Sequence, residues 1–201
     1  MTATAAILPK PPATIPKRYT LQEYLAKEER ALHKHEFHNG KITRMPGSKL
    51  KHNEIATNTT FALKVMVKTL SQKYRVINSD QKIYIPQVDK ALYGDALVIC
   101  ETPEFWNGRE DLLLNPLVIV EVASGSTRDY DRGEKFMSYR LIPSFQEYIL
   151  IEQNKPSVES WFRSKPNTWE IEEFTGIDAS LTLRSIGVTI LLSDIYENID
   201  F

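Results

Sequence analysis

The spacing of apolar residues predicts two helices in the first third of the chain. The first is expected over residues 21–33, where Thr20 followed by Glu23 forms a capping box at its start. The second is expected over residues 53–71, because its apolar residues recur at the spacing of one helical face. These residues are Ile55, Ala62, Leu63, Met66 and Leu70.

Between the two helices, alternation predicts a β-hairpin in HEFHNGKITRM, with its turn at the Asn-Gly pair of 39–40. Successive side chains of a strand point to opposite faces. The hairpin should therefore have Glu36 and His38 on one face and His35 and Phe37 on the other.

After the second helix the pattern becomes that of strands: YRVIN, KIYIP, DALVIC and the apolar run around Glu121. A third helix is predicted from Asp131 to Leu141, and Pro143 helps to end it. The strand at 146–151 should then run parallel to the strand of Glu121. The last segments predict a hairpin (SVESWF and TWEIEEF), further β structure (SLTLRSIGVTI) and a short helix capped by Ser193.

These alternating elements indicate an α/β fold with a mixed β-sheet flanked by helices, preceded by an N-terminal helix and hairpin. No repeat or linker divides residues 19–201, which are expected to form one domain. Residues 1–18 are Pro-rich, lack the apolar core of a signal peptide and are interpreted as a disordered tail. No apolar run approaches the length of a membrane span. Cys100 is the only cysteine, which excludes a disulfide framework and favours a reducing, cytoplasmic setting.

One charged residue interrupts the most apolar strand. Glu121 follows Val120 and precedes Val122, and a buried carboxylate is costly unless it is paired or coordinates a metal. Asp95 directly precedes the apolar run of DALVIC, so the two carboxylates converge if their strands are neighbours. Lys135, in the first turns of the third helix, could reach the same edge. Two carboxylates and a lysine suit a magnesium ion and the charge of a phosphodiester.

Each of these residues also has a purely structural interpretation. Asp95 could cap the turn before its strand, and Lys135 could be an ordinary surface residue. Glu121 could pair with an arginine such as Arg128 or Arg140. Asp131 and Glu134 have the spacing of a capping box, which would explain both without chemistry.

Charge is distributed unevenly, although the formal net charge is only -1. Residues 1–90 carry 16 Lys and Arg against 7 Asp and Glu, whereas residues 91–201 carry 9 against 19. This asymmetry indicates a polyanionic partner, or an acidic metal centre beside a basic collar. Attraction between the two halves of the fold is the alternative.

The remaining candidates are histidines, lysines and tryptophans. Opposite orientations of His35 and His38 argue against a shared metal and favour structural or surface roles for them and for His33. His52 could contact a phosphate or lie near the metal, or it could be a polar residue at a helix end. Four lysines could follow a nucleic-acid backbone or solvate a helix face: Lys49, Lys51, Lys64 and Lys68. Packing is expected for Trp106, Trp161 and Trp169.

YGDALVIC and VEVASGSTRDYDRGEKFMSYRLIPSFQEYILIEQ resemble the Uma-type restriction endonucleases of the PD-(D/E)XK nuclease superfamily. RYTLQEYL, HEFHNGKITRMPGS, KHNEIATN and SIGVTILLSDIYENI extend the resemblance over nearly the whole chain. The resemblance implies a restriction-endonuclease-like core, Mg²⁺-dependent phosphodiester cleavage and, often, a homodimer. The family's carboxylates fall on Asp95 and Glu121, its displaced lysine on Lys135 and its N-terminal acidic position on Glu36.

Three positions depart from the family pattern. Gly94 stands where the family has a proline, and residues 124–127 read Ser-Gly-Ser-Thr in place of Ser-Pro-Ser-Thr. Ala123 occupies the position of the superfamily's lysine, two residues after the glutamate. Cleavage by this chain therefore depends on Lys135 acting from the helix.

The favoured hypothesis is a DNA endonuclease in which Asp95 and Glu121 bind Mg²⁺ or Mn²⁺ and Lys135 assists the attacking water. Glu36 and His52 are accessory candidates. The missing motif lysine motivates an alternative, a nucleic-acid-binding module on a nuclease fold that does not cleave. A scaffold or partner-binding protein, with affinity for neither metal nor DNA, is the third hypothesis.

Overall fold

The computed structural model describes residues 17–125 and 128–201. Its strands, in chain order, are His35–His38 (β1), Lys41–Arg44 (β2), Tyr74–Asn78 (β3), Lys82–Ile85 (β4), Lys90–Tyr93 (β5), Ala96–Cys100 (β6), Leu112–Leu113 (β7), Val118–Ala123 (β8), Glu147–Glu152 (β9), Ser157–Lys165 (β10), Thr168–Thr175 (β11), Ser180–Leu183 (β12) and Val188–Leu191 (β13). Its helices are Leu21–Glu28 (α1), Leu50–Val67 (α2), Arg128–Tyr130 (α3), Phe136–Tyr139 (α4) and Leu192–Ile195 (α5). A π-helical turn, Asp131–Lys135, joins α3 to α4, and these three segments together are called the composite helix.

A six-stranded mixed sheet with the strand order β11-β10-β9-β8-β6-β3 lies at the centre of the fold. β8 and β9 are parallel and are connected through the composite helix, as the sequence predicted. The other neighbouring strands of this sheet are antiparallel. The predicted α/β class with a mixed sheet flanked by helices is confirmed.

A second sheet, with the strand order β2-β1-β5-β4-β7, lies against one face of the central sheet. The predicted hairpin forms β1 and β2, and its turn residues Asn39 and Gly40 have φ values of 44° and 90°. These left-handed values are the ones an Asn-Gly hairpin turn requires. The short strands β5 and β7 were not predicted, because two to four apolar residues are too few to establish a period.

Apolar side chains cover both faces of β8, which explains why its sequence is nearly continuous in hydrophobic residues. One face packs against α2, the β12–β13 hairpin and α5 through Val118, Val120 and Val122. The opposite face carries Ile119 and Ala123 and packs against the second sheet and the composite helix. Glu121 lies on this second face, between Ile119 and Ala123 along the strand.

The first two helices begin or end away from the predicted positions. The capping box of Thr20 and Glu23 is confirmed, with the Glu23 N–H donating to Thr20 Oγ1 at 3.1 Å. α1 ends at Glu28 rather than at His33, since the Glu28 carboxylate accepts a hydrogen bond of 2.9 Å from the His35 N–H and draws the chain into β1. α2 begins at Leu50, three residues before the predicted start.

The later helices also correct the sequence predictions. The third helix begins at Arg128, so Asp131 lies inside it and the capping-box interpretation of Asp131 with Glu134 is wrong. Ser193 lies within α5 and does not cap it, because the N-cap position is Leu191.

The predicted N-terminal tail lies mostly outside the described residues, which begin at Lys17. Arg18, at the end of that predicted tail, donates hydrogen bonds to the carbonyl and side-chain oxygens of Asn39 at 2.6 and 3.0 Å. Among the described helices, none is long and apolar enough to cross a membrane.

Candidate active site

A cleft of about 970 Å³ opens between the β1–β2 hairpin, the start of α2 and the composite helix. The ends of β5 and β8 and the residues that connect β5 to β6 form its floor. The structure brings all five candidate residues from the sequence into the lining of this cleft, and with the buried carboxylate of Asp131 they form a group of six; the exposed Glu134 also lines the cleft. The six residues are Glu36, His52, Asp95, Glu121, Asp131 and Lys135.

Asp95 and Glu121 are neighbours across two paired strands. Antiparallel pairing of β6 with β8 sets Ala96 opposite Val120, and Asp95 and Glu121 are the next residues along the two chains. The Asp95 N–H donates to the Val120 carbonyl at 2.9 Å, and the Val122 N–H donates to Asp95 Oδ2 at 2.8 Å. These two backbone contacts hold the Asp95 carboxylate beside β8.

Lys135 reaches the same place from the π-helical turn. Its ammonium donates to both oxygens of Glu121 at 3.0 Å each and to the Tyr93 carbonyl at 3.0 Å. One turn further along the composite helix, the Tyr139 hydroxyl donates to Glu121 Oε1 at 3.0 Å. Glu121 and Lys135 are only 3% and 5% exposed, so each is the other's main compensation for lost water.

Two of the structural alternatives differ from what the structure contains. Lys135 is buried, so it is not a surface residue. The basic partner of Glu121 is Lys135 rather than Arg128 or Arg140, and Arg128 pairs instead with Glu152 at 2.9 Å. Removal of one member of a buried ion pair leaves the other charge buried without a partner. The Glu121–Lys135 pair is therefore also important for the stability of the fold.

Glu36 enters the cleft from β1 and is held by two neighbours. The Tyr130 hydroxyl donates to Glu36 Oε2 at 2.7 Å, and His38 Nε2 lies 3.3 Å from the same oxygen. The predicted alternation of the hairpin is therefore present, since Glu36 and His38 share the cleft while Phe37 packs on Tyr24 of α1. A structural or surface role was expected for His38, and its contact with a candidate site carboxylate was not predicted.

His52 lies in the first turn of α2 and contacts the other motif carboxylate. Its Nε2 is 3.3 Å from Asp95 Oδ2. Its Nδ1 is buried and has no hydrogen-bond partner among the described residues. His52 is therefore both a polar residue at a helix end and a neighbour of a candidate site carboxylate.

Asp131 is the carboxylate that sequence reasoning missed. It is 4% exposed, and its Oδ1 lies 3.6 Å from the Lys135 ammonium. The available signal was its spacing, because residues four apart on a helix lie on the same face. The capping-box interpretation concealed that signal.

The charges around Lys135 favour additional positive charge. Burial raises the pKa of Glu121 well above its usual value, and the nearby carboxylates of Asp131 and Asp95 raise it further, against the opposing effect of Lys135. Burial would lower the pKa of Lys135, but Glu121, Glu36 and the two aspartates together hold it well above its usual value. Burial is thus the main cause of the raised pKa of Glu121, whereas the surrounding carboxylates cause the raised pKa of Lys135.

The pKa values of Asp95 and Glu36 are lowered, in part because each carboxylate has a histidine beside it. Burial alone would raise the pKa of Asp95, but the hydrogen bond and charge of His52 and the Val122 N–H hold it below its usual value. Burial likewise opposes ionisation of Glu36, but His38, the charge of Lys135 and the Tyr130 hydroxyl lower its pKa.

The donor set fits a hard divalent cation that keeps part of its water shell. Glu36 Oε1 is buried and has no hydrogen-bond partner within residues 17–125 and 128–201, as an oxygen intended for a cation would be. In the same ranges, no three His, Cys, Asp or Glu side chains form an arrangement that could hold a metal ion by themselves. Magnesium typically takes one or two carboxylates together with water and substrate phosphate oxygens, so Asp95 and Glu121 are sufficient for that mode.

Basic residues border the cleft on the side of the second sheet. His38 of β1 lies opposite Lys41 of β2 and opposite Lys90 of β5, which forms a row of three basic side chains on one face. All three line the cleft. Lys64 on α2 and Lys68 directly after it are exposed, as expected for a solvated helix face.

The three tryptophans pack against other aromatic rings. Trp161 and Trp169 lie 4.6 and 4.9 Å from Phe136 of the composite helix, measured between ring centroids, and Trp106 lies 5.0 Å from Tyr84. Trp161 and Trp169 therefore support the helix that carries Lys135.

Two of the motif departures have local explanations. A side chain at Gly94 would begin only 3.0 Å from Ile119 Cγ2 and 3.1 Å from Leu97 Cδ2, so this position has little room beyond glycine. Ala123 is buried in the apolar cluster beneath the composite helix, and Lys135 supplies the ammonium at Glu121 from that helix.

Comparison with known proteins identifies relatives over most of this chain. The model of the Uma2 family, described as "Putative restriction endonuclease", matches residues 21–192. An uncharacterised protein of Synechocystis sp., sll1609, is 33% identical over 165 residues, which cover 82% of this chain and 92% of the relative. A second uncharacterised Synechocystis protein, slr1290, is 30% identical over 197 residues, with 95% and 97% covered.

A solved structure shares the fold. The crystal structure of a protein from Anabaena variabilis, described as a putative nuclease belonging to DUF820, superposes with a TM-score of 0.69 and 20% sequence identity. The match covers 88% of this chain and 97% of that one. The chain described above thus has the same nuclease-like α/β architecture.

Proposed function

Since this chain belongs to the Uma2 family of restriction-endonuclease-like proteins, we propose that it is a metal-dependent endonuclease that hydrolyses phosphodiester bonds in DNA. One observation carries the proposal. A carboxylate before β6, a carboxylate within β8 and a buried lysine from the composite helix meet in a single cleft. Titratable groups with strongly shifted pKa values in a cleft are typical of a functional site.

Each of the five residues has a role in this proposal. Asp95 and Glu121 hold Mg²⁺ or Mn²⁺, and Glu36 is an accessory ligand through its buried Oε1. Lys135 orients the attacking water and offsets the negative charge that develops on the phosphate. His52 positions Asp95 through the contact of 3.3 Å. When bound, the ion lowers the pKa of a coordinated water and neutralises charge on the phosphodiester.

The row of Lys41, His38 and Lys90 supports a polyanionic substrate. These side chains border the acidic centre on one side, where they can contact phosphates next to the scissile one. Phosphate contacts of this kind position a nucleic acid without reading its sequence.

The alternative is a nucleic-acid-binding module on a nuclease fold that does not cleave. Ala123 at the superfamily's lysine position favours it, because the ammonium must then come from Lys135. The basic row would serve this function equally well.

Plasmid nicking in Mg²⁺ or Mn²⁺ separates the two functions. The comparison is between the wild type, Glu121→Gln and Glu172→Gln, whose carboxylate is exposed on β11. We expect nicking by the wild type and the Glu172 variant, and a loss of at least about a hundredfold in Glu121→Gln, since even residues that merely support a metal ligand cost tenfold to a hundredfold.

Equal nicking by wild type and Glu121→Gln would show that the site is wrongly assigned. If neither protein nicks DNA while both retard it on a gel, the binding module replaces the nuclease. Metal-free samples in EDTA control for a contaminating metal-independent activity.

Two further properties are proposed. The single cysteine, Cys100, favours a cytoplasmic location, and the resemblance to the Uma-type endonucleases implies a homodimer. Sedimentation equilibrium of the purified chain would distinguish a dimer from a monomer.

A further inference from the structure

Carboxylates from three different elements surround the ammonium group of Lys135. Glu121 of β8 places both oxygens 3.0 Å from Nζ. Glu36 of β1 places Oε1 at 3.6 Å, and Asp131 of the composite helix places Oδ1 at 3.6 Å. The four side chains are 4% to 6% exposed, so solvent does little to screen these charges.

The hydrogen-bonding capacity of Lys135 is already used on other atoms. An ammonium has three N–H donors. Those of Lys135 are directed to the two Glu121 oxygens and the Tyr93 carbonyl. The nearer oxygens of Glu36 and Asp131 therefore interact with Lys135 through charge at 3.6 Å rather than through a hydrogen bond.

The same arrangement leaves Glu121 fully engaged. Its Oε1 accepts hydrogen bonds from both Lys135 and Tyr139, and its Oε2 accepts from Lys135. A metal ion that takes Glu121 as a ligand must compete with Lys135 for these oxygens. Two cations this close together also repel each other strongly in a buried space.

We propose that the Lys135 ammonium is the resident cation of the cluster formed by Glu36, Glu121 and Asp131, and that it limits the affinity of the cleft for divalent metal. On metal binding the ammonium moves from Glu121 towards Asp131, whose Oδ1 already lies 3.6 Å away, and Glu36 Oε1 is left to the metal. This inference rests on the proposed metal-dependent function. It gives Asp131 a role, as the group that receives the displaced ammonium.

Direct metal titration tests the proposal. Binding of Mn²⁺ is measured by electron paramagnetic resonance of the free ion, for the wild type, Lys135→Met and Lys90→Met. Lys90 is the matched control, because it lines the same cleft but donates to the Ser138 hydroxyl at 2.9 Å instead of to the cluster.

We expect Lys135→Met to bind Mn²⁺ at least about tenfold more tightly than the wild type, because a unit charge near the ligands has been removed. Lys90→Met should stay within about threefold of the wild type, because its charge lies outside the cluster. Unchanged or weaker binding by Lys135→Met would overturn the proposal.

Thermal unfolding gives a second readout that does not depend on cleavage. In EDTA, Lys135→Met should unfold at a lower temperature than the wild type, since its buried carboxylates have lost their counter-ion. Mn²⁺ should then raise its unfolding temperature by more than that of the wild type, because tighter binding to the folded state stabilises it more. If the variant folds only with Mn²⁺, the proposal is supported; if it stays unfolded at saturating Mn²⁺, the proposal is contradicted.

Glu121→Gln separates failure of this inference from failure of the proposed function. Equal Mn²⁺ affinity of wild type and Glu121→Gln would show that Glu121 does not bind the metal, which would overturn the proposed function as well. If Glu121→Gln loses Mn²⁺ affinity as expected but Lys135→Met gains none, only the proposal about the Lys135 ammonium would be overturned.

Discussion

A contact between His52 and Asp95 joins the first turn of α2 to the residue that precedes β6 in the central sheet. Burial would lower the pKa of His52, but the hydrogen bond and charge of Asp95 raise it above its usual value. The folded state therefore binds a proton on His52 more tightly than the unfolded state does. The resulting stabilisation is complete below the unfolded pKa of about 6.5 and disappears as the pH rises through the folded value.

Replacement of His52 by glutamine should accordingly cost more stability in mild acid than in base. Urea unfolding of wild type and His52→Gln at about pH 5.5 and about pH 9 measures the difference. We expect the gap in unfolding free energy to narrow as the pH rises. A gap that is constant, or that widens with pH, would show that the His52–Asp95 pair is not charged in the folded protein.

At this scale the sequence revealed those residues whose polarity conflicts with their surroundings. Glu121 stands out in an apolar strand, and Asp95 borders another, so a converging pair could be predicted from the pattern of residues alone. His38 and Tyr130 could not be predicted in the same way, because polar residues in a hairpin or near a helix start are ordinary. Their contacts with Glu36 depend on tertiary packing of β1 against the composite helix.

Among the elements, the composite helix decides where the lysine lies. Phe136 follows Lys135 and is surrounded by the rings of Tyr148, Trp161 and Trp169, at centroid distances of 5.7, 4.6 and 4.9 Å. On its outer side the helix is also held by an ion pair between Arg132 and Glu159. The packing of Phe136 against these rings therefore fixes the position of the Lys135 ammonium.

Replacing the ring of Phe136 by a smaller side chain should lower the nicking rate more than it lowers the free energy of unfolding. We expect Phe136→Leu to reduce the free energy of unfolding by about 1–2 kcal/mol, less than truncation to alanine would. The nicking rate should fall by more than about tenfold, since small displacements of a catalytic group are costly. Mn²⁺ affinity should change little, because Asp95 and Glu121 belong to the sheet.

Ile190→Val provides the control for lost stability. Ile190 is buried in the apolar cluster on the other face of the central sheet, and its truncation costs about 0.5–1.5 kcal/mol. Nicking by this variant should match the wild type below its unfolding transition. An equal loss of activity in both variants would attribute the effect to stability and not to the position of the helix.

The composite helix also shows where sequence prediction reached its limit among the elements. Apolar spacing identified the helix, but it placed the start at Asp131, inside the π-helical turn. A π turn changes the spacing by one residue per turn and has no apolar period of its own, so it is not visible in the sequence. The parallel pairing of β8 and β9 was predictable, because a helix between two buried strands imposes it.

Over the whole molecule, the uneven charge of the two halves of the chain has two consequences. Ion pairs join basic groups of the first half to carboxylates of the second, as between Lys82 and Asp111 at 3.4 Å and between His52 and Asp95 at 3.3 Å. In the cleft, the acidic centre comes mainly from the second half, whereas the row of Lys41, His38 and Lys90 comes from the first. Both consequences that the sequence left open are therefore present together: attraction within the fold and a basic border beside an acidic centre.

This border makes a quantitative prediction about DNA binding. The double variant Lys41→Ala/Lys90→Ala removes the two lysines that flank His38, whereas Lys64→Ala/Lys68→Ala removes two exposed lysines at the C-terminal end of α2 that lie outside the cleft. DNA affinity is measured in EDTA over a range of salt concentrations, so that cleavage does not interfere. For each lost phosphate contact the slope of log affinity against log salt concentration should fall in magnitude by about 0.9. We therefore expect the slope of the cleft variant to fall in magnitude by between about 1 and 2 units. The α2 variant should keep the wild-type slope, because only the cleft lysines would contact a DNA strand bound at the carboxylates. Equal slopes for the two double variants would mean that DNA does not lie along the second sheet, and a larger loss in the α2 variant would move the phosphate contacts to that helix.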